Sequence, residues 1–422
     1  MNIVAKIKNA SLYPLSYAIV SAQSVAARMK ALGKKPTVHF EQPYQGQRIL
    51  LLALYEKGRL RADIENLLIT AKSLGMYVLA VNTLKVMNPD GLKDKIDCYI
   101  ERPNFGRDFG SYQTGFLHIY KNGLEQKCTR LLMLNDSLFY SKVNLTAFLE
   151  QMITTDIEVL GATENHEIEH HLGSFCISIN QGILQQTRFR RYWARYANTD
   201  VRPKVIKRGE MKLSKTLRRC VSDPANYCAL FDMTLAAYRL ENDKELINEL
   251  SNLYRNSTIL DGPWRRSSLR SAADRFMSRY IQIDPGLSSI PATIEENNEA
   301  KKIFFIDHPY KLIKAFETSL KEPNIQNLGT RIYEEMKNDF LECFTSGSQI
   351  HQNNILLHHL GMPLIKLDAL YRGMFSVEDV EKIANKLNAQ ESGNFRRLMF
   401  SKPFGGNTLV GWKRAAFYRG LI

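Results

Sequence analysis

Short apolar runs alternate with segments of helical periodicity from residue 47 onward, and this alternation constrains the fold more than any other feature. The apolar runs predicted to be strands are residues 49–55, 76–81, 97–101, 131–134, 157–162 and 173–179. The segments predicted to be helices between them are residues 60–74, 110–120 and 145–152. Parallel strands need crossover connections of about a dozen residues or more, usually a helix. The sequence therefore predicts an α/β fold with a mostly parallel sheet covered by helices on both faces.

The two ends of the chain differ from this central pattern. Residues 16–32 are rich in alanine and predict a helix. Strand signals become scarce after residue 220, where 228–285 and 312–342 are mostly helical and 303–306 is an isolated strand candidate. A length of 422 residues suits more than one domain. The predicted division is an N-terminal helical segment (1–46), an α/β domain (47–220) and a mainly helical region with a basic C-terminal tail (221–422).

Membrane crossing and secretion are not predicted. The longest uninterrupted apolar run is 49–55, whereas a spanning helix needs roughly 20 apolar residues. Lys6 and Lys8 form a basic start, but no apolar run of signal-peptide length follows before Arg28. Six cysteines occur without CxxC spacing, as in reduced cytosolic proteins. We therefore expect a cytoplasmic protein.

Positive charge is concentrated in two patches. Residues 188–219 contain twelve Lys and Arg against two acids, and residues 393–422 contain six Lys and Arg and no acid. The rest of the chain is therefore close to neutral, although the net charge is +14. Basic patches attract phosphates, in nucleic acid, in anionic lipid head groups or in a diphosphate substrate. The alternative is a basic surface that only faces water.

A glycine-rich polar turn follows the third predicted strand, which is where open α/β sheets bind ligands. Residues 102–110 read Arg-Pro-Asn-Phe-Gly-Arg-Asp-Phe-Gly. The glycines allow close backbone approach, and Arg107 can meet a phosphate or pair with Asp108. The alternative is that Asp108 only caps the next helix.

An acidic turn follows the fourth predicted strand, which ends in Asn135, Asp136 and Ser137. A carboxylate there can hold a divalent cation, which in turn holds a diphosphate. The alternative is an ordinary polar turn. About thirty residues and one helix separate the two turns, and this spacing favours their placement at neighbouring strand ends.

The order of these features is similar to that of nucleotide-sugar glycosyltransferases of the GT-A fold, in which the acidic turn is a DxD motif. Four stretches more specifically resemble the rhamnan synthesis protein F family of bacterial polysaccharide glycosyltransferases. They are residues 104–110, 132–137, 161–175 and 353–366. The resemblance runs from about residue 48 to 372. It implies that 47–220 is a GT-A-like nucleotide-sugar-binding domain.

The resemblance also implies substrates and roles. The donor is a nucleotide-sugar, expected to be dTDP-L-rhamnose, and the acceptor is a growing surface polysaccharide on a lipid carrier at the anionic inner face of the cytoplasmic membrane. Transfer is expected to be a single displacement that inverts the anomeric configuration. The residues expected to bind the donor are Asn104, Arg107, Asp108, Asn135, Asp136, Ser137 and Tyr55. Those expected to bind the acceptor are His171 and Ser174.

The acidic turn departs from the GT-A pattern at one position. Asn135 stands where a first aspartate is usual, so that Asp136 is the one carboxylate left to bind Mg²⁺ or Mn²⁺. A single carboxylate binds a divalent ion weakly. The alternative is that Arg107 or the basic cluster neutralises the diphosphate.

A general base must deprotonate the acceptor hydroxyl, and two glutamates are candidates. Glu210 opens a predicted helix 74 residues after Asp136, and Glu164 follows the 157–162 strand. Either could also be an ordinary surface glutamate. Glu164 belongs to a cluster rich in His and Glu, from 164 to 171. That cluster is interpreted as a polar acceptor loop in preference to a metal site, because no helix face carries its histidines.

Two other classes of function compete with an enzyme: a nucleic-acid-binding protein and a non-catalytic scaffold of a polysaccharide assembly. The first is suggested by aromatic residues interleaved with arginine, namely Phe189, Tyr192, Trp193 and Tyr196, because aromatics and arginines can stack bases. Their spacing of i, i+3, i+4 and i+7 also describes one buried helix face. We therefore expect no nucleic acid partner. Further aromatics near the C-terminus, which suit a membrane interface or packing, are Phe395, Phe400, Phe404, Trp412 and Phe417.

Overall fold

The computed structural model describes residues 3–251, 254–256, 265–267, 328–345 and 347–422. The strands are β1 (Thr37–Glu41), β2 (Ile49–Leu54), β3 (Tyr77–Asn82), β4 (Cys98–Glu101), β5 (Arg130–Asn135), β6 (Leu138–Tyr140), β7 (Val159–Gly161), β8 (Glu164–Asn165), β9 (His171–Leu172), β10 (Cys176–Asn180), β11 (Tyr227–Ala229), β12 (Tyr254–Asn256), β13 (Arg265–Ser267) and β14 (Leu364–Lys366). The strand predicted at 303–306 lies outside the described residues.

The first ten α-helices are α1 (Ile3–Ala31), α2 (Ala62–Ser73), α3 (Arg107–Lys121), α4 (Leu145–Thr154), α5 (Gln181–Gln185), α6 (Thr187–Ala194), α7 (Arg202–Val205), α8 (Lys212–Arg218), α9 (Met233–Asn242) and α10 (Lys244–Ser251). Those that follow in the described chain are Leu328–Thr345, Gln349–Gln352, Asn354–His359, Val377–Ala384, Ala389–Phe400, Gly405–Thr408 and Gly411–Tyr418. A π-helical turn, Ile206–Met211, separates α7 from α8, and short 3₁₀ turns occupy Asp90–Leu92, Leu124–Gln126 and Pro224–Asn226.

One eight-stranded sheet organises the molecule, in the order β1-β4-β3-β2-β5-β10-β7-β11. Strands β4, β3, β2 and β5 are mutually parallel, and β7 and β11 share their direction. Strands β1 and β10 run the opposite way. The predicted α/β fold with a mostly parallel sheet is confirmed.

Both faces of the sheet are covered, as alternation along β2 demonstrates. Leu50 and Leu52 belong to the core cluster that includes Ile64 of α2, whereas Leu51 belongs to the opposite cluster with Phe116 of α3. Each fully buried leucine contributes about 1.5–3 kcal/mol to folding. Gly115 lets α3 approach β2 closely, because a Cβ there would lie 2.3 Å from a methyl carbon of Leu51. This packing fixes the start of α3 relative to the end of β2.

Eight strands of the described chain fall where none was predicted, namely β1, β6, β8, β9, β11, β12, β13 and β14. β1 lies inside the predicted N-terminal helical segment and pairs with β4. Its side chains are mostly exposed, so its sequence has no apolar pattern that would indicate a strand. β11 extends the sheet beyond residue 220, and β14 pairs antiparallel with β6. β6, β11 and β14 have three residues each, too few for a recognisable period. The division into domains stays a prediction.

The aromatics between the arginines of 188–219 are core residues. Phe189 and Trp193 are fully buried, and the Trp193 ring stacks on Phe116 of α3 at a centroid distance of 4.5 Å. Tyr192 and Tyr196 are also buried. The interpretation as a base-stacking surface is therefore wrong, and the one-face helix interpretation is confirmed.

The C-terminal helices also use their aromatics for packing. Phe395 and Phe417 are buried, so the expectation that they line a membrane interface is wrong for these two; Phe400 is 39% exposed. The Gly411–Tyr418 helix packs on α1, where Ala416 joins a small cluster with Val20. Within the described part of the chain, no helix combines the length and apolarity that crossing a bilayer requires.

Candidate active site

The connection order of the sheet places a crevice between β2 and β5. From β2 the chain proceeds to β3 and then β4 on one side, and returns to β5 on the other side of β2. Open α/β sheets bind ligands at such a switch point, outside the carboxyl ends of the strands. Ala53 of β2 pairs with Asn135 of β5, so the next residues of both strands meet at the mouth of this crevice.

Two hydrogen bonds of Asp136, one with Ala53 and one with Tyr55, connect the ends of β2 and β5. The Asp136 N–H donates to the Ala53 carbonyl at 3.1 Å, and the Tyr55 N–H donates to the Asp136 carboxylate oxygen Oδ2. The Tyr55 side chain remains 57% exposed. The carboxylate is thus held by the backbone, while an aromatic ring borders the crevice.

Arg61 supports the acidic turn from the side of α2. Its guanidinium donates to the Asp136 carbonyl at 2.8 Å and to the Leu138 carbonyl at 2.7 Å, and it pairs with Glu56 at 3.2 Å. Burial raises the pKa of Asp136 to about 6, against the opposing effect of the Tyr55 N–H and Arg61. Burial likewise raises the pKa of Glu56 to about 7, which Arg61 opposes.

The oxygen atoms of the acidic turn are poor ligands for a divalent cation. One Asp136 oxygen already accepts the Tyr55 N–H, and the turn offers no second carboxylate because residue 135 is asparagine. A carboxyl with a pKa near 6 also holds a proton for part of the time near neutral pH. Hard cations such as Mg²⁺ prefer ionised, uncommitted oxygen ligands. Asp136 alone is therefore a poor binding site for a divalent cation, and the mechanism proposed below does not use one.

Asn135 connects the acidic turn to α3 through a hydrogen bond that its side chain donates and that an aspartate could not donate. Its side chain is 2% exposed, and its Nδ2 donates to Asp108 Oδ2 at 3.2 Å. Its Oδ1 accepts from the Ser137 N–H at 3.2 Å and from the Ser137 hydroxyl at 2.5 Å. A carboxylate at 135 could not donate, and it would repel Asp108.

The turn before α3 is held by a buried arginine. Arg102 donates to the carbonyls of Pro103 (2.9 Å), Phe105 (2.6 Å) and Arg107. Gly106, with φ of 97°, reverses the chain, and its N–H donates to Asp200 at 2.7 Å. This left-handed conformation favours glycine, and the turn it makes delivers Asp108 to the end of β5.

Asp108 lies inside the first turn of α3 and does not cap it. The residue preceding the helix is Gly106, and no side chain caps this end. The Asp108 carboxylate meets Asn135 and the N–H of Phe109, the latter at 3.2 Å. Burial and the charge of Glu210 raise its pKa, while Lys366 and Arg107 oppose that rise.

Glu210 belongs to the π-helical turn and faces His171 of β9. The Glu210 carboxylate lies 3.5 Å from His171 Nε2, and His171 is 1% exposed. The opposite ring nitrogen, Nδ1, donates to the Glu169 carbonyl at 2.7 Å, which orients the ring. Burial alone would raise the pKa of Glu210, but His171, Lys366 and Arg202 lower it overall. π-Helical turns often occur at functional sites.

Lys366 completes the site, and sequence reasoning gave it no role. β14 pairs with β6 so that Lys366 lies opposite Leu138, and its ammonium donates to Ser137 Oγ at 2.7 Å. The charge of Lys366 helps to lower the pKa of Glu210 and opposes the rise in the pKa of Asp108. Its position at the end of the fourth family-like stretch was the signal available in the sequence.

A charged network of Asp368, His351 and Arg372 lies next to the strand that carries Lys366. Asp368 accepts from His351 Nε2 at 3.1 Å and pairs with Arg372. Burial would raise the pKa of Asp368, but His351, Lys366 and Arg372 hold it well below its usual range. His351 in turn contacts Ser348 Oγ at 2.9 Å through Nδ1. The network anchors the segment that carries Lys366.

The remaining predicted site residues lie at the rim or elsewhere. Asn104 and Arg107 are exposed, and Arg107 donates to the Asp200 carbonyl at 3.0 Å. Ser174 is buried, with its carbonyl accepting from Tyr112 at 3.3 Å. Glu164 contacts His170 at 3.0 Å and His166 at 3.5 Å, and not Glu210.

Comparison with known proteins identifies a related family. Residues 76–261 match the family model of rhamnan synthesis protein F, which confirms the resemblance carried by the first three motif stretches; the fourth lies outside the match. The uncharacterised protein y4gN of Sinorhizobium fredii is 26% identical over 186 residues, 42% of this chain and 47% of its own length. The virulence protein VirA of Vibrio anguillarum is 33% identical over 86 residues, 20% of this chain and 26% of its own.

The chain spans less than half the length of these curated relatives. Among solved structures, the glycosyltransferase GlyE of Streptococcus pneumoniae TIGR4 is 13% identical over 47% of this chain and 50% of its own, with a TM-score of 0.25.

Proposed function

We propose that this protein is an inverting glycosyltransferase that transfers L-rhamnose from dTDP-L-rhamnose to a growing bacterial surface polysaccharide. The observation that carries the proposal is the hydrogen-bonded chain from Lys366 through Ser137 and Asn135 to Asp108 at the end of β5. Glu210 is close enough for its charge to raise the pKa of Asp108. An ionised carboxylate, Glu210, and a cation, Lys366, at this edge of the sheet support a site for sugar transfer. The rhamnose donor is favoured by the family match over residues 76–261.

The nucleotide is proposed to bind at the mouth of the crevice. The exposed ring of Tyr55 offers a surface on which a base can stack. The diphosphate then points toward Lys366, with the exposed Arg107 at the rim. A half-buried ammonium held by Ser137 neutralises phosphate charge more strongly than one in water. No divalent cation is needed in this arrangement.

Glu210 is proposed as the general base. It takes the proton of the acceptor hydroxyl while that oxygen attacks the anomeric carbon. The bond from that carbon to the diphosphate oxygen breaks, and the electron pair leaves with the diphosphate, whose charge Lys366 stabilises. His171 positions the Glu210 carboxylate, and its contact keeps the pKa of Glu210 below its ordinary value, so the base is ionised at neutral pH. One displacement inverts the anomeric centre.

The acceptor is proposed to be a lipid-linked glycan, met at the inner face of the cytoplasmic membrane. Five cations of the C-terminal patch are exposed, namely Arg397, Lys402, Lys413, Arg414 and Arg419. Near an anionic leaflet each is worth about 1 kcal/mol. Lys413→Glu with Arg414→Glu should release the protein from vesicles containing phosphatidylserine. Equal flotation of the variant and the wild type would contradict this anchor.

Thermal shift and product analysis test the activity. Saturation at 100 times Kd should raise the unfolding free energy by about 2.7 kcal/mol. We expect dTDP to stabilise the chain, with the same shift in Mn²⁺ and in chelator, and NMR of the product to show inversion. Absence of a shift with dTDP, UDP, GDP and CMP alike, or a retained configuration, would refute the proposal.

A further inference from the structure

The hairpin β8–β9 brings together three groups that the proposed reaction does not use. Glu164 begins β8, and His166 and His170 flank the loop that connects β8 to β9. Glu164 Oε1 lies 3.0 Å from His170 Nε2, and Glu164 Oε2 lies 3.5 Å from His166 Nε2. One ligand atom from each residue lies within 4.8 Å of the other two.

This geometry is close to that of a zinc site. Zinc bonds to imidazole nitrogen and carboxylate oxygen are about 2.0–2.2 Å long, so the ligand atoms of a tetrahedral site are about 3.3 Å apart. The two imidazole rings have centroids 5.1 Å apart, and His166 Nε2 is buried without a hydrogen-bond partner. Two imidazoles and a carboxylate are a ligand set that suits zinc.

We propose that Glu164, His166 and His170 bind one Zn²⁺ ion. The side chains are 17%, 27% and 36% exposed, so solvent can supply the fourth ligand. The site does not depend on the proposed glycosyltransferase activity, because it is built from residues outside the Asp108–Glu210–Lys366 cluster.

The hairpin contacts both the C-terminal segment at Gly347 and Gln349 and the π-helical turn that carries Glu210, and this gives the metal a positioning role. The Glu164 N–H donates to Gln349 Oε1 at 2.8 Å, and the His166 N–H donates to the Gly347 carbonyl at 3.0 Å. On the other strand of the hairpin, His171 faces Glu210. A metal that closes the loop between β8 and β9 therefore fixes the hairpin between the C-terminal segment and the π-helical turn.

A second cluster provides a matched control. Glu41, Cys98 and His118 also lie within 4.8 Å of one another. Burial raises the pKa of the Cys98 thiol far above its ordinary value, and the thiolate is the form that binds metal. His118→Ala should therefore leave zinc binding unchanged.

The test uses the full chain, stripped with chelator and titrated with Zn²⁺ against a chromophoric indicator. We expect one ion per chain in the wild type and in His118→Ala, and affinity weaker by about 100-fold or more in His170→Ala and in His166→Ala. Zinc should raise the unfolding temperature of the wild type and not that of His170→Ala. Equal unfolding temperatures of the two metal-free proteins establish that the variant is folded.

Cobalt provides a spectroscopic readout independent of stability. Co²⁺ in the wild type should give the intense visible bands of tetrahedral coordination, and His166→Ala should lose them. The proposal is overturned if the wild type binds no zinc in the titration, if His166→Ala and His170→Ala bind as tightly as the wild type, or if His118→Ala removes the ion.

Discussion

The two walls of the candidate active site come from different parts of the chain and carry opposite charge. The sheet wall consists of Asp108, Asp136 and Glu210, which residues 107–211 deliver through the ends of strands and helical turns. The C-terminal wall is Lys366, delivered by a three-residue strand. The first wall is held by the core of the sheet, and the second by one short pairing and a charged network.

This difference indicates that the two walls have separate roles in the proposed reaction. Carboxylates held by the sheet suit proton transfer, which needs fixed geometry. In the proposed reaction the cation stabilises the leaving diphosphate, on which negative charge develops. Removing a group from each wall should therefore produce kinetically distinct defects.

The largest effect is expected at the base. Glu210→Gln removes the proton acceptor and should lower kcat by about 10²- to 10⁴-fold with little change in donor affinity. Steady-state kinetics in chelator, which removes the hairpin metal as a variable, measure both quantities. Glu164→Gln, the other candidate base, should keep most of the activity; the opposite ranking of the two variants would assign the base to Glu164.

Loss of the cation should come next. Lys366→Met should lower kcat/KM by about 10²- to 10³-fold, the range found when one preorganised charge-stabilising donor is removed. Unlike Glu210→Gln, it should also weaken dTDP binding. The matched control is Lys382→Met, which breaks a pair with Glu378 at 3.1 Å in the same C-terminal region. Equal dTDP affinity in the two lysine variants would remove Lys366 from the donor site.

A smaller effect should follow when the sheet wall is made more acidic. Asn135→Asp replaces the Nδ2 donor, 3.2 Å from Asp108, with a carboxylate. The lost hydrogen bond and the repulsion should lower the unfolding free energy by about 1–3 kcal/mol at pH 8. The loss should be smaller at pH 5 than at pH 8, because burial raises the pKa of Asp108 and a protonated carboxyl does not repel its neighbour. Denaturant unfolding at both pH values measures it, and Asn407→Asp on the exposed surface should change neither.

The smallest effect concerns the pH dependence of folding at the sheet wall. Glu56 has a pKa of about 7 when folded against an ordinary value of 4.5, because burial raises it. Between these values the folded state holds more protons than the unfolded state, so the unfolding free energy falls as pH rises. Glu56→Gln should remove about 1–3 kcal/mol of that fall between pH 4.5 and 8. Identical slopes in variant and wild type would contradict the raised pKa.

The sheet wall could be predicted from the sequence because its signals are local. The apolar runs predicted six of the eight strands of the central sheet, and the polar turns that follow two of them predicted Asp108, Asn135 and Asp136 as site residues. What the local pattern could not give was the partner of each group. Asp136 was expected to bind the donor or a divalent cation, and the sequence did not indicate that it accepts the N–H of Tyr55, which lies 81 positions earlier.

The C-terminal wall could not be predicted for the same reason. β6 and β14 have three residues each, and their pairing depends on contacts more than 200 residues apart. Lys366 ends one of the family-like stretches, but no residue near it in the sequence indicates its contact with Ser137, so it was assigned no role. Glu210 was expected to open a helix, and a π-helical turn carries it instead.

The pairing of β14 with β6 has a consequence for how the protein is made. Ser137 and Lys366 are separated by 229 positions, and at roughly 5–20 residues per second a ribosome needs on the order of 10–50 s to synthesise that length. Contacts of such high contact order also form late in folding. During synthesis the crevice between β2 and β5 can therefore exist with its carboxylates in place before its cation arrives. A nascent chain that ends before β14 would present these carboxylates without Lys366, and their charge repels a diphosphate. We therefore expect donor binding to begin only once β14 has paired with β6.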